Sequence, residues 1–144
     1  MVIGIDVTHP SPGPAKRTAL SVAAMVANVD NELAQWPIHL RINTAGKEMV
    51  DLLGSMRTTR LELWESDHAN SLPDNLLIYR DGVSESQYKT VLEKELGRIR
   101  NTCQVKYRGR DPPKITLIIV GKRHHTRIFR KTVAGNCTNL EFGT

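Results

Sequence analysis

The spacing of apolar residues changes along the chain, and each change marks an expected element. Met1 to Ile5 is a short apolar run that ends at Asp6 and reads as a strand. The segment Thr8 to Arg17 carries Pro10, Pro12, Gly13 and Pro14 and must be a loop, because neither a helix nor a central strand tolerates that punctuation. Thr18 to Val29 is small and β-branched and predicts a second strand, with a short helix left open by its alanines. Pro37 to Ile42 alternates apolar and polar, as a half-buried third strand does. The period then lengthens. Met49, Leu52, Leu53, Met56, Leu63 and Trp64 predict the apolar face of a helix from Ala45 to Trp64, with Lys47, Glu48, Asp51, Arg57 and Arg60 mostly elsewhere.

After a loop from Ser66 to Asn75, broken by Pro73, Leu76 to Tyr79 reads as a short buried strand running into Arg80-Asp81-Gly82. Asp-Gly is a turn signal. Ser84 is placed to cap a helix, with Gln87 three residues on to close a capping box. That helix carries Tyr88, Val91, Leu92, Leu96, Ile99 and Cys103 at helical spacing. Asp111-Pro112-Pro113 ends the segment, and Ile115 to Val120 is so apolar that a strand covered on both faces is expected. A basic run, Lys122 to Lys131, and a tail with no readable pattern follow. Three strands, helix, strand, helix, strand predict an α/β fold: an antiparallel meander continued by parallel strands joined through helices. Chemistry in such sheets sits beyond the carboxyl ends of the strands.

Composition narrows the function classes. A chain of 144 residues is one domain or less, and 40% apolar content suits a globular core. No run is long enough to cross a bilayer, and no secretory signal is recognisable at the N-terminus, so cytoplasm or nucleus is expected. Cys103 and Cys137 lack metal-site spacing and read as reduced structural thiols. Asn136-Cys137-Thr138 fits a glycosylation sequon only by chance on that reading. Gly46-Lys47 has no upstream glycine of a P-loop, and no Ser or Cys sits in a nucleophile motif. The net charge of +5 permits a polyanionic partner without requiring one.

Asp6 and Asp81 stand at equivalent places, each closing an apolar strand. On neighbouring parallel strands they would lie roughly 5 Å apart. Two carboxylates that close repel, and a divalent cation lets both stay ionised. Two such ions about 4 Å apart could activate water and stabilise a leaving oxygen at a phosphodiester. The plainer alternative stands beside this: aspartate after a strand is common, and Asp-Gly is an ordinary turn.

Three segments carry a resemblance. Gly4-Ile5-Asp6-Val7-Thr8-His9-Pro10, Tyr79-Arg80-Asp81-Gly82-Val83-Ser84-Glu85 and Gly121-Lys122-Arg123-His124-His125-Thr126-Arg127 resemble, in order, motifs of the Argonaute family's PIWI domain. They reach across the chain to about Phe129. The resemblance implies an RNase H-like mixed sheet, incomplete at its C-terminus, in a nuclease that cuts RNA paired to a small guide RNA. It implies two catalytic aspartates, which match Asp6 and Asp81 and would hold magnesium, two ions in all, with manganese as a substitute. It implies a catalytic glutamate on a mobile loop, for which Glu48 is the candidate; an exposed glutamate in a helix's first turn is favoured there in any case. The family's fourth residue, aspartate or histidine, is expected beyond Thr144; His124 and His125 match a different motif. No MID or PAZ domain is expected within these residues.

The basic run begins where the last strand ends, on the same edge as the aspartates. Phosphate contacts position a nucleic acid without reading its sequence. The resemblance assigns RNA binding to Lys122, Arg123 and Arg127, with Lys122 and Arg127 on the guide backbone; a solvated basic loop is the competing reading, and Lys16 and Arg17 are weaker candidates. The expected function is a guide-RNA-directed, Mg-dependent endoribonuclease module that does not cut as an isolated fragment. Its expected partners are guide RNA, complementary target RNA and silencing-complex proteins, with no membrane. The alternative is a fragment that binds guide or duplex RNA, or a protein, without cutting. A transposase- or integrase-like nuclease is a third reading, against which Lys122 to Arg127 argues.

Overall fold

Strand β1 (Val2–Thr8) alternates: Ile3, Ile5 and Val7 are buried, while Gly4, Asp6 and Thr8 face the other way. The computed structural model describes residues 1–10, 20–43, 53–121, 128–133 and 135–139. Around β1 grows a five-stranded sheet in the order β3-β2-β1-β4-β5. β2 (Ser21–Ala27) and β3 (Ile38–Asn43) add antiparallel on one side. β4 (Asn75–Asp81) and β5 (Lys114–Val120) add parallel on the other. This is the mixed sheet predicted, and the small and β-branched second segment is a strand. β1 runs two residues past Asp6, because Val7 and Thr8 still pair with Ala23 and Val22.

One sheet face is covered. Helix α1 (Leu53–Asp67) follows β3, and a second helical stretch follows β4: a 3-10 turn (Glu85–Gln87), α2 (Tyr88–Thr90), a π-helical turn (Val91–Glu95) and α3 (Leu96–Lys106). Ile3, Met25, Ile78, Leu61 and Ile99 are fully buried between sheet and helices. Each such side chain stabilises the fold by about 1.5–3 kcal/mol. Tyr107, just past α3, donates its hydroxyl to the Pro73 carbonyl at 2.7 Å, tying the helix end to the loop before β4. The Gln87 side chain accepts the Ser84 amide at 3.1 Å, in the predicted capping box.

Both helical faces differ from their predicted stripes. Among the described side chains of α1 the buried ones are Arg60, Leu61 and Trp64, whereas Leu63 is exposed; Met49 and Leu52 of the predicted stripe lie outside the described residues. Arg60 is buried because its guanidinium reaches across to donate to the Pro37 carbonyl at 2.9 Å. Burial also lowers its pKa. In the second stretch Leu92 is 60% exposed and Tyr88 is exposed too, while Glu95 is 1% exposed. The π turn explains this. The Leu96 amide donates to the Val91 carbonyl five residues back, so one extra residue rotates the stripe and sends Glu95 inward with Val91, Leu96, Ile99 and Cys103. Glu95 meets Arg80, which is also fully buried: Arg80 Nε lies 2.9 Å from Glu95 Oε2.

β5 is not covered on both faces. It is an edge strand among the described residues, and Ile118 is exposed. Cys103 is a buried core thiol, but Cys137 is exposed and has no structural packing role. The tail holds a small hairpin, β6 (Phe129–Lys131) and β7 (Cys137–Asn139), which the apolar pattern does not announce. On the open sheet face Val22, Ile38, Leu40, Ile42, Tyr79 and Ile118 are between 39% and 66% exposed. A patch of that kind drives association. The isolated 144-residue chain is therefore expected to elute from a sizing column as oligomers or aggregate; a monodisperse monomer at micromolar concentration would contradict this.

Candidate metal site

Asp6 and Asp81 are brought together by register. β1 and β4 run parallel with Ile3 beside Ile78, Gly4 beside Tyr79 and Ile5 beside Arg80. The next residues along are Asp6 and Asp81. Neighbouring strands are about 4.8 Å apart, so the two Cα atoms are close neighbours. Side-chain parity completes the pairing. Ile5 and Arg80 point into the core, and the following aspartates point to the open face.

The local geometry around both carboxylates converges on Gly82. Asp81 Oδ1 accepts the Gly82 amide at 2.7 Å, and Asp6 Oδ1 accepts the Val7 amide at 2.8 Å. A methyl group built on Gly82 would stand 3.1 Å from Asp6 Oδ1. Gly82 also has φ of +77°, which side chains other than glycine's resist. One glycine thus donates to one acid and leaves no room for a side chain beside the other. Gly82→Ala should cost about 1–3 kcal/mol in backbone strain and displace the Asp6 carboxylate. The expected readout is a Tm drop accompanied by weaker divalent-cation binding; an unchanged Tm and unchanged binding would contradict it.

Beside the acids lies an open depression of about 250 Å³ lined by Gly4, Asp6, Ala24, Val26, Tyr79 and Asp81. Small residues make it. Ala24 pairs with Asp6 across β1 and β2, and a side chain on Gly4 would meet Val26 at 3.1 Å. Tyr79, two residues before Asp81 and exposed, borders one side. Side-by-side carboxylates are oxygen donors of the kind magnesium and manganese take. Among the described residues no group of three or more candidate ligands is present, so the pair accounts for two of the donors such an ion needs.

Glu48 lies outside the described residues, as do Lys122, Arg123 and Arg127, and with them Lys16, Arg17, His124 and His125. The described geometry therefore speaks only for the two aspartates. His9, in the first motif, is used structurally. Its Nδ1 lies 2.8 Å from the buried Ser21 hydroxyl, joining the end of β1 to the start of β2. Sequence reasoning missed Gly4, Gly82, Arg80 and Glu95 as parts of the site's scaffold. The alternation Leu76, Ile78, Arg80 was the available signal for Arg80, since it puts a charge at an inward position of β4.

The family model of the Piwi domain matches residues 1–144, the whole chain. The chain belongs to the Piwi domain family. Protein argonaute 3 of Oryza sativa subsp. japonica is 38% identical to it over 131 residues, which is 91% of this chain and 11% of that protein. Among solved structures, the MID-PIWI domains of Neurospora crassa QDE-2 are 40% identical, with a TM-score of 0.68, over 82% of this chain and 34% of that one. The Kluyveromyces polysporus Argonaute, solved with a guide RNA, has a TM-score of 0.77 at 24% identity, over 96% of this chain and 17% of that one, a likeness of fold. The chain thus spans about a tenth of the rice relative and a third of the QDE-2 segment. The Piwi match agrees with the mixed strand order, the arrangement expected of an RNase H-like sheet.

Proposed function

We infer that this chain is the carboxylate-bearing part of a guide-RNA-directed, magnesium-dependent endoribonuclease. The observation that carries the reading is the juxtaposition of Asp6 and Asp81 on one face of adjacent parallel strands, with Gly82 donating to Asp81 at a position where a side chain would crowd Asp6. Family membership and the guide RNA bound by the Kluyveromyces Argonaute support an RNA-silencing role.

In this reading Asp6 and Asp81 hold magnesium, and Glu48 completes the donor set or orients water. The bound ions would supply an activated water and stabilise the departing oxygen of the target strand. The residues of the chain do the remaining work. The backbone amides of Val7 and Gly82 hold one oxygen of each carboxylate in place. The small side chains at Gly4 and Ala24 keep an open depression beside the acids. Lys122, Arg123 and Arg127 would contact guide and target phosphates without reading bases, leaving recognition to pairing. Target choice then resides in the guide.

The isolated chain is not proposed to cut. It spans a small part of its relatives. The test uses the intact, guide-loaded protein. Cleavage of a complementary RNA should stop on chelation with EDTA and return on adding magnesium. Cleavage that persists in excess chelator would overturn the metal-dependent reading.

A further inference from the structure

The residue before Asp81 is turned the opposite way and fully buried. Arg80 Nε donates to Glu95 Oε2 at 2.9 Å, and Nη2 donates to Glu95 Oε1 at 3.3 Å, a two-pronged pair. Its remaining arm, Nη1, donates to the backbone carbonyl of Asp81. The guanidinium therefore bridges the helical layer and the strand end that carries the open-face carboxylate.

The consequence lies in one peptide unit. The Asp81 carbonyl and the Gly82 amide belong to the same planar group. Arg80 holds the carbonyl end, and Asp81 Oδ1 accepts the amide end at 2.7 Å. Turning that plane would break both bonds together. Arg80 thus fixes the peptide, and the peptide fixes the carboxylate. Glu95 in turn fixes Arg80, and it reaches the core only because the π turn carries it inward.

Stability alone is a poor reason for such a pair. Desolvating two charges offsets most of their attraction, and apolar replacements of similar volume are often neutral or stabilising. Metal ligands, by contrast, depend on the groups behind them for orientation. We propose that Arg80 and Glu95 are positioning residues that set the Asp81 carboxylate for cation binding through the Asp81–Gly82 peptide. This rests on the reading of Asp81 as a metal ligand. Neither side chain touches the ion or the RNA.

The test uses the intact protein stripped of divalent ions, with Mn²⁺ binding followed by titration calorimetry and stability by thermal unfolding. The double variant Arg80→Met with Glu95→Leu removes the charges while filling the space. It is expected to unfold near or above the wild-type temperature, yet to bind Mn²⁺ about 10–100-fold more weakly. Half-maximal cleavage should then require correspondingly more Mg²⁺, with guide affinity unchanged. Arg80→Lys keeps a charge for Glu95 but carries its donors on one nitrogen and cannot span Glu95 and the Asp81 carbonyl as the planar fork does, so it should weaken binding in the same direction. It carries the test if the double variant does not fold.

Asp81→Ala separates the two layers of the argument. If it abolishes Mn²⁺ binding while the double variant, or Arg80→Lys in its place, binds as wild type, the positioning role is overturned and the metal site stands. If Asp81→Ala binds Mn²⁺ as wild type does, the metal site itself falls, and the positioning role falls with it.

Discussion

Asp81→Ala in the intact, guide-loaded protein is expected to lower target cleavage about a thousand-fold or more while the protein stays folded. A bound metal ion contributes several kcal/mol of charge stabilisation in the transition state, and each 1.36 kcal/mol is one decade in rate. Losing one of two neighbouring acids removes both a donor and the charge that holds the ion. Asp81→Asn makes the sharper comparison. The amide keeps an oxygen that can accept the Gly82 N–H, so the local turn survives, but the charge is gone. Both variants should retain guide and target binding, since pairing and phosphate contacts do not pass through Asp81. The measurement is single-turnover cleavage of a labelled complementary RNA, with binding read in parallel. Undiminished cleavage by either variant would sink the assignment.

The second large effect separates the structure from the sequence pattern. Glu95→Ala should destabilise the fold by about 3–5 kcal/mol, because it removes the carboxylate that faces the fully buried Arg80 guanidinium. Leu92→Ala, three residues earlier, should stay within about 0.5 kcal/mol, because Leu92 is 60% exposed. A regular helix would give the reverse ranking, with leucine inside and glutamate outside. Amide hydrogen exchange across β4 and α3 in the intact protein reads the difference directly. Equal protection in the two variants would contradict the inward rotation produced by the π turn.

Much of the architecture is readable from residues alone. The Asp-Gly turn at Asp81 and the Ser84/Gln87 box each mark a real boundary, because each follows from backbone chemistry that operates locally, and the alternation in Ile38 to Ile42 marks a real strand, although its apolar side chains are exposed rather than buried. The pairing of Asp6 with Asp81 follows from two apolar strands placed side by side in parallel. What escapes a reading of residues is long-range. Nothing in the spacing of Val91, Leu92 and Leu96 announces a five-residue turn, and Glu95 is recognised as a core residue only once Arg80 is seen opposite it. Leu61 and Leu63 are chemically alike but lie on nearly opposite sides of α1, and only the face that α1 turns to the sheet decides that the first is buried. The apolar run in β5 predicts a strand with two covered faces, yet hydrophobicity records what a strand prefers to meet and not what lies against it. Glu48 and the basic residues Lys122, Arg123 and Arg127 lie outside the described residues, so their part in the site rests on the resemblance.

The most direct measurement is anomalous diffraction from crystals of the intact protein grown with Mn²⁺. The expected map has a manganese peak about 2.2 Å from carboxylate oxygens of both the sixth and the eighty-first residue, within reach of the depression beside Gly4 and Ala24. Side chains splayed so that no single ion touches both, with any manganese bound elsewhere, would contradict the account at its root.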